Sequence, residues 1–371
     1  MRYDETNLPL RTLLPAIGRA EDHLARLDEA VRRSPEGDGF VERGHFFDSA
    51  ASMWIAGELV HVEDLVLHDA HMDVRAPTHE LTISHAILRA RRRIANADPA
   101  WAVGGSGLSA LAGVRDAPGR AVENDLGPGS DGGGDVSPDG EEPLSAEFAA
   151  IDAVLERSRR ILEGEGAFTV QTEKPQSVIV GDLVVRDAEW DERGRIEQWQ
   201  AVGREVEDMP PTLAAAVLWD AWETLEPLQN KHWLGTLLVG AWLRSRRKVA
   251  SHLFCLNVGL KTIPRERRRS RSKTTRLLAA LDAMSAAGDA GMKEVSRLAQ
   301  AREQMQRRLR SRRSSSSLPG VIDLILSRPI VSATMIAKEV NVTQRGALNL
   351  ITELGVREMT GRGRYRAWGV L

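Results

Sequence analysis

Thr343, Gln344, Arg345 and Asn349 lie within two helical turns of one another near the end of the chain. Their side chains are a hydroxyl, two amides and a guanidinium. In a major groove such groups bond phosphate oxygens and base edges: Arg pairs with the O6 and N7 of guanine, and Asn or Gln with the N6 and N7 of adenine. A short distance downstream, Arg357, Arg364 and Arg366 flank the Gly-rich turn Thr360-Gly361-Arg362-Gly363, and Arg362 lies at its tip. A basic tip of that kind suits phosphate or a minor groove. The two groups agree on double-stranded DNA as a partner. The bland alternative is a three-helix module that contacts only protein.

Local signals place these residues on a winged helix-turn-helix over residues 318–371. Val321, Ile322, Leu324, Ile325 and Leu326 give a first apolar helix from about Pro319 to Ser327, stopped by Pro329. Ser332 is an N-cap residue for a second helix, Ala333 to Val340. Asn341 sits at the sharp turn, where a left-handed backbone must be tolerated. Thr343 caps the third helix, Gln344 to Leu354, and small Ala337 and Ala347 let the helices approach. Val356 to Val370 then reads as a short hairpin, the wing.

The rest of the chain bounds the function classes. Of 371 residues, 42% are hydrophobic and the formal net charge is -2. That is an ordinary globular composition with room for two or three domains. The single cysteine, Cys255, excludes an internal disulfide framework and a cysteine zinc site, and fits a reducing cytoplasm. No apolar run is long enough for a membrane span. His61, Asp64, His68 and His71 recur at steps of three and four, but read as a half-exposed polar stripe rather than metal ligands. His79-Glu80 and His85 miss the spacing of a zinc protease, and no phosphate loop, nucleophile elbow or dinucleotide fingerprint occurs. No catalytic residue, metal ligand or cofactor is expected.

In chain order, residues 1–103 form an N-terminal helical segment. It contains helical regions at Leu13 to Val31, Phe46 to about Ala70, and Pro77 to about Ala97. Arg89, Arg91, Arg92 and Arg93 near the end of the last read as surface charge at a helix C-terminus. Residues 104–144 are rich in Gly, Asp, Pro and Ser and should be a disordered acidic insertion. Residues 145–310 form a helical body. Its expected elements are a helix from Ser145, a small β-hairpin over 178–185, apolar helices from Leu213 and Trp233, and later helices at Leu277 to Met284 and Val295 to Leu309. The basic run from Pro264 to Lys273 is a solvated surface or a further nucleic-acid contact. Residues 311–317 are a basic, Ser-rich linker.

Two stretches of the body resemble Fic-domain nucleotidylyl transferases. Glu226-Pro227-Leu228, after the apolar Ala215 to Leu225, stands where that family carries His-Pro-Phe, and Gln229 to Gly235 occupies its Gly-Asn-Gly-Arg loop. Ser52-Met53-Trp54-Ile55-Ala56-Gly57 resembles the family's inhibitory helix, with Ala56 in place of its glutamate. The resemblance implies a Fic-like scaffold without its catalytic base, phosphate cradle or inhibitory acid. The whole chain also resembles a rhizobial plasmid-type family of unknown function. That match lies in Ala76 to Thr82 and in the ending from Ser314 to Gly369, and it implies a C-terminal DNA-binding helix-turn-helix.

Together these features give a mostly α fold: a helical body with a small hairpin, then a winged helix-turn-helix. The expected function is that of a cytoplasmic DNA-binding transcriptional regulator, working as a homodimer. The alternatives are a divergent Fic-type transferase using Glu226 as base, and an adaptor that binds a toxin.

Overall fold

A computed structural model describes residues 3, 8–73, 76–113, 190–309, 317–360 and 366–370. Among them the body is built from helices α1 (Leu10–Arg33), α2 (Gly37–Ala56), α3 (Val62–Asp69), α4 (His79–Asn96) and α5 (Gly105–Ala112). It continues with α6 (Glu192–Glu205), α7 (Pro211–Leu225), α8 (Leu234–Ser245), α9 (Leu256–Leu260), α10 (Arg265–Arg268) and α11 (Lys273–Leu309). The C-terminal module adds α12 (Leu318–Ser327), β1 (Val331–Ser332), α13 (Ala333–Glu339), α14 (Gln344–Leu354), β2 (Arg357–Glu358) and β3 (Ala367–Gly369). The architecture is mostly α with one three-stranded antiparallel sheet, ordered β1-β3-β2. No described helix is long and apolar enough to cross a membrane.

The spine is α11. At 37 residues it spans about 55 Å, and α1, α7 and α9 all pack along it. Two separate helices, Leu277 to Met284 and Val295 to Leu309, are expected here, and the structure joins them through Gly288 and Gly291. Both glycines are points of close approach: a Cβ at Gly288 would lie 2.9 Å from His23 Cβ, and one at Gly291 would lie 2.8 Å from the Leu27 side chain. α7 and α8 are apolar on nearly every side and lie buried, as all-round apolar helices must.

Three further expectations need correction. The region from Phe46 to Ala70 is two helices, because Gly57 takes φ 99° and ends α2. Residues 105–112 are helical rather than disordered, since Leu108 and Leu111 find the core. Arg91 is no surface charge. It is 1% exposed and pairs with Asp48, which is equally buried; Asp48 also accepts from the Asn257 amide and the Val258 N–H. The helix from Ser145, the hairpin over 178–185 and most of the expected insertion and linker lie outside the described residues.

The body also buries His45 and His252. Burial holds the His252 imidazole down to about 4; the Asp28 carboxylate opposes that shift and Arg91 adds to it. His45 is held well below its ordinary value, chiefly by burial and then by Arg91 and Arg92. The unfolded chain takes up these protons near pH 6.5, whereas the folded chain resists them. This contribution to stability is therefore complete above pH 6.5 and is lost as pH falls toward 4. For His252 alone the loss at pH 5 is about 2 kcal/mol. Urea midpoints measured between pH 7.5 and 5 should fall accordingly, and the fall should shrink in His252→Gln.

Candidate nucleic-acid interface

The C-terminal module is assembled by local chemistry. Leu318, Val321, Ile322, Ile325 and Leu326 form the buried stripe of α12. Ser332 Oγ accepts from the Met335 N–H at 3.2 Å and starts α13. Asn341 takes φ 52°, the left-handed turn between α13 and α14. Thr343 Oγ1 accepts from the Gly346 N–H at 3.1 Å and starts α14, which ends at Gly355 with φ 62°. Ala347, Leu350, Ile351 and Leu354 of α14 are buried. The hairpin of β2 and β3 follows, with Arg357 opposite Gly369 and Glu358 opposite Trp368. The strand β1 was not expected from the sequence; it pairs Val331 with Trp368 and closes the sheet.

Burying that stripe turns the opposite face of α14 outward. Thr343, Gln344, Arg345 and Asn349 are all exposed. Arg345 and Asn349 have no hydrogen bond or ion pair among the described residues. Gln344 Nε2 donates to Thr334 Oγ1 at 2.9 Å, which braces the side chain against α13 and leaves its carbonyl oxygen available. Arg366 is held differently. Its Nε and Nη2 donate to Glu358 Oε2 at 3.0 and 2.6 Å, and its guanidinium lies 5.2 Å from the Trp368 ring centroid. Part of its charge is thus matched within the wing. Arg362 and Arg364 lie outside the described residues.

The structure adds neighbours that the sequence reading passed over. Lys338 is exposed, and it stands one helical turn beyond Thr334, hence on the same side of α13 as the Gln344 contact. Leu348 is 37% exposed between Arg345 and Asn349, as an apolar contact for a thymine methyl would be. Arg357, noted only as a flank of the wing, is exposed on β2. An apolar residue on an otherwise polar recognition face was the available signal for Leu348.

The module does not hang free. A Cβ at Gly39 would lie 3.1 Å from the Leu326 carbonyl oxygen, so glycine lets α2 and α12 touch backbone to backbone. Arg43, 1% exposed, donates to the carbonyl oxygens of Arg328 and Val370 and pairs with Glu294 of α11. Glu42 pairs with both Arg92 and Arg328. At the far end of α11, Arg308 Nη1 donates to the Leu354 carbonyl oxygen at 2.8 Å. It therefore caps the C-terminus of α14, where a cation is favoured. None of these contacts involves Thr343, Gln344, Arg345 or Asn349.

The other candidate residues are held as follows. Glu226, which the Fic resemblance places at the catalytic position, is an exposed left-handed residue that ends α7. In the following loop His232 pairs with Glu223, and Lys231 Nζ donates to the Ala112 carbonyl oxygen at 3.0 Å. Of the histidine stripe, His61 only precedes α3 and His71 follows it with φ 55°. His68 bonds Asp73, and no group of three ligands that could hold a metal occurs among the described residues. Burial pushes the Cys255 thiol up to about 12. In the basic run, Arg268 is buried and Arg267 pairs with Asp282, while Lys261 and Arg268 flank the half-exposed Trp54.

Two family models match parts of this chain. Residues 184–310 match a family described as protein of unknown function (DUF1612), and residues 318–371 match an HTH DNA binding domain. The uncharacterized protein y4cF of Sinorhizobium fredii (strain NBRC 101917 / NGR234) is 43% identical over 387 residues, covering 100% of both chains. The helical body with its capped, outward-facing α14 thus belongs to the family of y4cF, in which a segment of unknown function (DUF1612) precedes a DNA-binding helix-turn-helix.

Proposed function

We propose that this protein is a transcriptional regulator that reads specific duplex sites with α14 in the major groove. The observation that carries the reading is the face of α14. It is capped, braced by the Gln344–Thr334 bond, and presents Arg345 and Asn349 with no partner among the described residues. A module whose side chains were already paired internally would have little left for bases. In this reading Arg345 and Asn349 contact base edges, while Thr343 and Gln344 set the helix against the sugar-phosphate backbone. The wing contributes Arg362 and Arg364, with Arg366 as a partly neutralised neighbour. The body carries no nucleotidyl-transfer chemistry in this reading, because Glu226 faces solvent beside a loop whose Lys231 is spent on a backbone carbonyl.

One such module covers few base pairs, so two copies on paired half-sites are part of the proposal. It places the protein in the cytoplasm, on chromosomal or plasmid DNA. Selection of bound duplexes from a random pool by the purified full chain tests the reading. It should enrich a site with two related halves about 10 base pairs apart, or a multiple of that. Enrichment of no sequence over the starting pool would overturn it.

The phosphate contribution has its own signature. Each cation that meets a phosphate adds about 0.9 to the steepness of log affinity against log salt. Arg357→Gln and Lys338→Gln should each flatten that slope by about this amount while preserving the order of preferred sequences. Titrations at four salt concentrations would show it.

A further inference from the structure

Residues 261–273 hold seven cations and one acid, Glu266, in a chain whose formal net charge is -2. A solvated face normally mixes both signs. Three of the cations are engaged. Arg267 pairs with Asp282, Lys273 lies over the Tyr3 ring, and the buried Arg268 donates through Nε to the Ile263 carbonyl oxygen at 3.1 Å. Lys261, Arg265, Arg269 and Arg271 are exposed, and their side chains have no hydrogen bond or ion pair among the described residues. Glu223, a carboxylate that acts on Arg268, is already paired with His232.

The loop that carries these charges is tied to the core. Arg276 pairs with the wholly buried Asp220 and donates through Nη1 to the carbonyl oxygens of Ser270 and Arg271, at 2.9 and 3.3 Å. Like charges held this way repel one another and cannot drift apart, so an anion that meets them is favoured. Trp54 stands among them, 40% exposed, with Lys261 Nζ 5.7 Å and Arg268 Cζ 6.0 Å from its ring centroid.

Trp54 also says where this surface lies. It follows Arg43 by about three turns of α2, so both residues lie on one face of that helix. Arg43 is the residue that grips the module, through the carbonyl oxygens of Arg328 and Val370. The cationic surface and the module therefore share a side of the body. From the start of α11, beside the cationic loop, to Arg308 at Leu354 is about 50 Å, the rise of about 15 base pairs.

We propose that Lys261, Arg265, Arg269 and Arg271 hold the sugar-phosphate backbone of duplex DNA beyond the site that α14 reads. The inference rests on the DNA-binding reading of α14 and extends the contact onto the body. Guanidinium groups suit it, because they stay charged and meet phosphate oxygens two at a time. A lipid surface would ask for apolar side chains that enter the acyl boundary. Within 261–273 the one large apolar residue, Ile263, is buried. The contact carries no sequence information; it adds affinity and a preference for longer duplexes.

The test uses the full chain and two duplexes. One ends at a selected site, and the other extends the same site by about 20 base pairs on each side, which exceeds the 50 Å span. Log affinity should fall more steeply with log salt on the extended duplex. The triple variant Arg265→Gln, Arg269→Gln, Arg271→Gln should flatten that slope by about 0.9 for each arginine, and leave the slope on the short duplex unchanged. Lysine at the same three positions should keep most of the slope. Neither variant should reorder the preferred sites, and thermal melting checks that each is folded. Equal slopes for wild type and the glutamine variant on the extended duplex would overturn the inference. So would a glutamine variant that loses only its binding to phosphatidylserine vesicles. If the slopes differ as expected on random extended duplexes but no site is preferred, this surface stands and the reading of α14 falls. If site preference is intact and the slopes are equal, the reverse holds.

Discussion

The double variant Arg345→Ala, Asn349→Ala is expected to fold normally and to lose the preference between a selected duplex and a scrambled one. A bidentate contact from Arg to guanine, or from Asn to adenine, contributes about 1–3 kcal/mol of discrimination. The two residues stand one turn apart on the same exposed face, so their losses couple. Each single variant should lose about 1–3 kcal/mol of discrimination, and the double variant more than either alone. Binding to scrambled DNA should fall far less, because that term comes from phosphate contacts elsewhere. Stability should be untouched, since neither side chain has a partner among the described residues. Competition titrations with both duplexes measure the ratio directly. A preference that survives the double substitution would move sequence reading to other residues.

The second large effect lies in the body. Asp48→Ala should destabilise the fold by about 3–5 kcal/mol, because it strands the Arg91 guanidinium in a dry interior. Arg91 would keep only its bond to the Leu253 carbonyl oxygen at 3.0 Å and a contact with the Cys255 sulfur. The Asn257 amide and the Val258 N–H at the start of α9 would lose their acceptor as well. Removing both charges, as in Asp48→Leu with Arg91→Met, should recover much of the loss, since an apolar pair of similar volume avoids the desolvation cost. Urea denaturation of the three proteins decides this. A loss below about 1 kcal/mol in Asp48→Ala would mean that water reaches the pair.

The module was legible in the sequence because short-range chemistry builds it. Ser332 and Thr343 each bond an N–H three residues ahead, and Asn341 needs only its own backbone preference. The outward face of α14 follows from its inward face, which helical periodicity gives away. What depends on distant partners was not legible. β1 is two residues long and exists only because Trp368 and Ala367 come alongside. Arg91 looks like one of a run of surface arginines until α2 brings Asp48 to it. The role of Gly288 and Gly291 shows only once α1 lies across them. The same holds for the join between module and body, where nothing local marks Gly39, Glu42 and Arg43 as anchor points. That join also means that truncation at residue 318 would bare apolar surface on α2 and α11, so point variants are the cleaner probe of the interface.

Among the described residues, none occupies the charged, polar face that α14 would offer to DNA. Fluorescence anisotropy of a labelled duplex with the full chain at about 20 mM salt tests binding at that face most directly. The expected result is saturable binding that weakens linearly as log salt rises, with the preference among duplexes carried by Arg345 and Asn349. Absence of any duplex binding at that ionic strength would contradict it.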